Sequence, residues 1–138
     1  MKNQLSRLTV ILALTLTGSA LLMAQNSGRN IAEIPFDFQL QDKVLPSGTY
    51  SVTQSTPSGI LHIRNEGTGE MIAALAPMRE QGKTGEAKLV FRCYSDRCFL
   101  SWVWFGDGQD GYGVVKGRAE KDAAGHEKPA VLATIRMK

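Results

Sequence analysis

The chain has 138 residues, 43% of them hydrophobic, and carries 16 basic against 13 acidic side chains for a formal charge of +3. Lys2 and Arg7 belong to an N-terminal leader, so the remainder is close to neutral, with Arg and Lys interleaved with acids rather than gathered into a stripe. A nucleic-acid surface needs that concentration of charge, and composition excludes such a role.

Residues 1–24 read as an export signal: a small basic head at Lys2 and Arg7, a nearly uninterrupted apolar run from Leu8 to Met23, and small residues at Ala20 and Ala24 for cleavage. The alternative is a retained anchor, since a spanning helix needs about 17 apolar residues. The run is short, interrupted by Thr and Gly, and followed by polar Gln25-Asn26-Ser27-Gly28, which favours cleavage. Residues 25–138 are then one β domain, periplasmic or secreted, large enough for a single core. Neither cysteine stands near the cleavage point, so lipoprotein acylation is excluded. No second long apolar run follows, and no transmembrane span is expected after cleavage.

From Ile34 the apolar spacing is two: Ile34, Phe36, Phe38 and Leu40 alternate with Pro35, Asp37, Gln39 and Gln41, which predicts a half-buried strand. Asp42-Lys43 begins a turn and Leu45-Pro46-Ser47-Gly48 presets another. Thr49 to Ser55 is strand again, ended by Thr56-Pro57-Ser58-Gly59. Ile60 to Arg64 and Met71 to Ala76 form a hairpin around the polar loop Asn65 to Gly69. Pro77 to Lys88 is a long polar connection suited to crossing between sheets.

The most apolar hairpin follows, from Leu89 to Phe105, and Gly106 to Gly111 breaks it. Tyr112 to Lys116 predicts a seventh strand. Ala119 to Ala124 predicts a short helix, with Gly125 as its stop, and Val131 to Met137 alternates as a terminal strand. About eight short strands with one short helix before the last predict an all-β fold, an antiparallel barrel or a two-sheet sandwich. The sequence leaves that choice open.

With Ser95-Asp96 as a two-residue turn, Tyr94 faces Arg97, Cys93 faces Cys98, Phe91 faces Leu100, and Leu89 faces Trp102. Cys93 and Cys98 then occupy a non-hydrogen-bonded pair, where a cross-strand disulfide can close in an oxidising compartment. The rival readings are two buried thiols or a redox pair; four intervening residues do not match C-x-x-C, and two ligands do not make a zinc site. Beyond the turn both faces of the strand are apolar, Leu100, Trp102 and Trp104 on one and Phe99, Val103 and Phe105 on the other. Either the long connection or the helix covers the second face, or part of it is open to a ligand or another chain.

Catalytic motifs are absent: the chain has no G-x-S-x-G elbow, S-x-x-K pair or H-E-x-x-H helix, and neither His62 nor His126 joins a catalytic arrangement. Gly106-Asp107-Gly108-Gln109-Asp110-Gly111 matches G-x-G-x-x-G, but no helix follows it and its two carboxylates would repel a phosphate, so it reads as a hairpin loop. It also lacks the ligand spacing of a calcium loop. No metal and no cofactor is expected. One ligand arrangement stands out: Trp104 and Tyr112 can offer ring faces to a sugar while Asp107 and Asp110 accept its hydroxyl hydrogen bonds.

The elements Ile34-Pro35-Phe36-Asp37-Phe38, Asp42-Lys43-Val44-Leu45-Pro46-Ser47-Gly48-Thr49-Tyr50 and Ser95-Asp96-Arg97-Cys98-Phe99-Leu100 resemble a family of small exported bacterial proteins of uncharacterised function. The resemblance implies a secreted β domain and carries no catalytic residues. The expectation is an exported, non-enzymatic β domain that binds a ligand or an envelope partner. The alternatives are a lipocalin-like carrier of a small apolar ligand and, behind it, a hydrolase with an unrecognised carboxylate pair.

Overall fold

A computed structural model of the chain describes residues 30–55, 59–128 and 130–138. The leader expected over residues 1–24 and the turn expected at Thr56-Pro57-Ser58 lie outside the described residues. Two curled antiparallel sheets enclose one core. The first, in the order β1 (Asn30–Ile34), β4 (Gly48–Ser55), β5 (Ile60–Asn65) and β6 (Met71–Leu75), is built from neighbouring hairpins. The second runs β11 (Val131–Arg136), β8 (Lys88–Tyr94), β9 (Arg97–Trp104), β10 (Gly111–Gly113) and β7 (Met78–Glu80). The short hairpin of β2 (Phe38–Leu40) and β3 (Lys43–Leu45) joins this second sheet through a parallel pairing of β2 with β9.

The alternation read as one strand from Ile34 to Leu40 is therefore shared between sheets. Pro35 offers no ladder donor, and the Asp37 carboxylate accepts the Ser47 N–H at 2.8 Å, so the chain bends there and crosses over. The sheets meet along one flank, where Ala32 bridges Met137 and Ile31 and Lys138 exchange backbone hydrogen bonds of 2.9 Å. At the other flank the Val115 N–H reaches the Leu75 carbonyl at 3.1 Å.

Alternating side chains supply the core, with Phe38 at its centre, edge-on to Tyr50 at 5.1 Å and to Phe91 at 5.4 Å between ring centroids. Burial pushes the Tyr50 phenol above its ordinary pKa, a shift that a hydrogen bond from Asn65 opposes. The Tyr50 hydroxyl donates to the Pro46 carbonyl at 2.6 Å, which pins the turn before β4 onto that strand.

The helix α1 (Arg118–His126) packs over the tip of the β8–β9 hairpin, where Tyr94, Phe99 and Ala123 form a second small cluster. It passes through Gly125 and ends at His126, contrary to the stop expected there, because Gly125 keeps an ordinary helical backbone rather than the left-handed one that ends a helix. Gly117 precedes the helix without a side-chain cap of its own. Asp42, from the β2–β3 turn, accepts the Ala119 N–H at 3.2 Å instead. Arg92 on β8 pairs with Glu120 at 2.9 Å and Arg97 on β9 with Glu127. Glu120 is only 3% exposed, so its partner determines whether the burial is tolerable.

Candidate functional site

The hairpin β8–β9 keeps the expected register from its turn through Tyr94↔Arg97, Cys93↔Cys98 and Phe91↔Leu100, then slips. Val90 pairs with Trp102 and Leu89 with Val103, so Leu89 does not face Trp102 as the sequence suggested. Ser101 is the extra residue of a bulge; its side chain is buried and its carbonyl accepts the Val114 N–H at 2.9 Å. One residue of slip exchanges the two faces of everything beyond it. Leu100, Val103 and Phe105 fill the core, while Trp102 and Trp104 turn to the outer face and stay half-buried. The grouping of Leu100 with both tryptophans is thereby corrected.

The outer face beyond the slip is shaped around those two indoles. They stack with ring centroids 5.8 Å apart and planes 19° from parallel. Opposite them on β10 stand Gly111, paired with Trp104, and Gly113, paired with Trp102. A Cβ on Gly111 would lie 2.6, 2.6 and 2.7 Å from Cε3, Cζ3 and Cδ2 of Trp104. Near-equal distances to three adjacent ring atoms place that position over the face of the ring, not at its edge. The Trp104 indole therefore lies flat on the glycine backbone, and the residue is half-buried. At Gly113 the same test meets Trp102 Cζ2 at 3.0 Å and the Met78 side chain.

Trp104 lines a groove of about 510 Å³, within the range of small-ligand sites. Val90 and Thr134 extend the floor, and the segment from Glu80 to Glu86 together with Gln109 raises the rim. The rim is fixed by close backbone packing of two loops. A Cβ on Gly82 would lie 1.9 Å from the Gln109 carbonyl oxygen, and Gly106, at a φ of 76°, approaches the backbone N of Ala87 so closely that a Cβ would sit 2.8 Å away. The Asp107 N–H donates to the Gly85 carbonyl at 3.1 Å.

Asp110 ties the same loops together, accepting hydrogen bonds from Arg79 Nε and, at 3.2 Å, from the Gly82 N–H. The Arg79 hydrogen bond first, and the backbone one second, hold its carboxyl below the ordinary carboxylate pKa. At the far end Arg136 pairs with Glu86 at 2.9 Å. Glu80, Lys83 and Lys88 line the groove without an ion-pair partner among the described residues.

Of the four residues the sequence offered as a ligand set, Trp104 alone lines this groove. Tyr112 points into the core edge-on to Phe105 at 6.0 Å, Asp110 is a brace between loops, and Asp107 sits on the turn at a φ of 51°. The sulfurs of Cys93 and Cys98 are bonded at 2.08 Å with Cα atoms 4.0 Å apart, as the cross-strand pairing predicted. His62 lies on the outer face of the first sheet between Thr53 and Ala73, and His126 pairs at 3.5 Å with Asp122 on the exposed side of α1. Among the described residues no cluster of three metal-ligating side chains occurs, and no helix is long and apolar enough to cross a membrane.

Sequence reading missed Gly111, Gly113, Gln109 and the Glu80–Glu86 rim. A signal for the glycines was present: two alternate tryptophans on one strand are followed by two alternate glycines on the next. No known protein family, curated protein or solved structure matches this chain.

Proposed function

We propose that the protein is an exported, non-enzymatic β domain that acts by binding, with the outer face of the second sheet as its working surface. The observation that carries this reading is the Trp104 indole, laid flat on Gly111, half-buried and lining a groove. A large aromatic kept half-buried outside the core forgoes burial worth roughly 1–2 kcal/mol. A half-buried indole lining a groove is suited to contact with a partner. The leader over 1–24 and the Cys93–Cys98 bridge support export. The interior around Phe38, Tyr50 and Phe91 is occupied by packed rings, which favours the outer surface over an interior cargo site.

The test is fractionation of the producing cell together with the double variant Trp102→Ala/Trp104→Ala. The reading expects protein of the 25–138 mass outside the cytoplasm, sedimenting with envelope material, and loss of that association in a variant that keeps the far-ultraviolet circular dichroism of the parent. Full-length protein in the cytosol would contradict export, and equal association of the variant would contradict the surface. A retained lipid-sized mass on native mass spectrometry would favour a carrier instead.

A further inference from the structure

We infer that the groove lined by Trp104 takes a pyranose chain, one sugar ring stacking on that indole while its hydroxyls bond to the rim. The inference rests on the binding reading above and names its ligand class. An indole face carries the negative side of the ring quadrupole and attracts the weakly positive C–H groups that crowd one side of a pyranose. Gly111 and the neighbouring Trp102 hold the ring in place before any ligand arrives, so little ordering remains to be done on binding.

The rim completes the argument. Glu80 is an acceptor, Lys83 and Lys88 are donors, and Thr84, Gln109 and Thr134 are both, all around a floor of Trp104 and Val90. Sugar hydroxyls donate and accept in equal measure and can satisfy such a mixed set. A lipid tail would cover these groups and leave them unpaired, at about 1–3 kcal/mol each. The charges lining the groove nearly balance, Glu80 and Glu86 against Lys83, Lys88 and Arg136, which suits an uncharged ligand. The loops bearing these groups are locked by Gly82 against Gln109 and by Asp110 on Arg79, which fixes the spacing of the hydrogen-bonding ring.

The chain has only two tryptophans, Trp102 and Trp104, so its indole emission reports this surface alone. The full chain, expressed with its own leader and purified, is titrated with cellohexaose, xylohexaose, maltohexaose and chitohexaose, with emission and calorimetry as readouts. At least one hexaose is expected to give a saturable change in emission. Trp104→Ala should weaken that binding by roughly tenfold or more, as loss of a central aromatic contact does. Trp104→Tyr should keep most of it, and Gln109→Ala should weaken it while leaving the denaturant midpoint unchanged.

No response to any of the four hexaoses at millimolar concentration would overturn the inference, as would equal binding by Trp104→Ala. If envelope association still depends on Trp104 while no hexaose binds, the saccharide assignment falls and the binding surface stands. If neither depends on Trp104, both readings fall.

Discussion

At Gly111 the absence of a side chain is what shapes the surface. Gly111→Ala drives a methyl into the face of Trp104, and a misfit of that kind costs about 1–3 kcal/mol in a packed site. Denaturant unfolding should show the loss and near-ultraviolet circular dichroism should show displaced indoles. Gly125→Ala is the opposite case. It lies inside α1 with open space around it and no positive φ, so an added methyl should stabilise the protein by about 0.5–1 kcal/mol in the same assay.

Asp110 gives a pH dependence with a definite sign. Its carboxyl ionises more readily in the folded protein, so its contribution is complete above the ordinary value of 3.8 and disappears as pH falls through the lowered folded value. Unfolding midpoints of the parent and of Asp110→Asn should differ at neutral pH and converge in acid. The role of Asp110 was not legible in the sequence, because it depends on which loop faces it, and that of Gly111 was signalled only by the alternation of two glycines after two tryptophans. The pairing of Cys93 with Cys98 was legible, because a two-residue turn sets register locally.

Among the elements, β9 separates local from non-local information. Its turn-proximal half follows strict alternation, whereas the half beyond Ser101 reverses faces through one inserted residue. Apolar letters on both sides of a strand cannot reveal such a slip, and Ser101, a lone polar residue between Leu100 and Trp102, was the one available hint. The two expectations for that strand's second face then apply to different ends of it. Phe99 is covered by α1, and Trp104 is left to the groove.

Helix α1 shows a similar borrowing. Its own sequence provides no N-cap, so its start depends on Asp42, 77 residues earlier in the chain. Asp42→Ala should therefore cost about 1 kcal/mol and lower helical ellipticity, although Asp42 lies in a β-turn. Preserved stability and helicity in that variant would contradict the cross-chain cap.

On the scale of the whole molecule, alternation and turn residues predicted the all-β class and the late helix, because both signals are written within a few residues. What they did not predict is how the chain divides between sheets. Ile34 and Phe38 belong to different sheets, and closure between sheets depends on backbone bonds from Ile31 to Lys138 and from Val115 to Leu75. Those partners are far apart in the chain and carry no distinctive side-chain signal. The consequence is a core centred on the Phe38, Tyr50 and Phe91 rings and an outer face that carries two half-buried indoles.

Acrylamide quenching of tryptophan fluorescence tests that arrangement most directly, since both tryptophans of the chain stand on the face turned outward by the Ser101 bulge. Half-buried indoles on that face should give an emission that acrylamide quenches in the folded protein, with protection when a bound hexaose covers Trp104. A blue-shifted emission insensitive to acrylamide would put the indoles in the core, where an unbroken register would have left them, and would contradict the account.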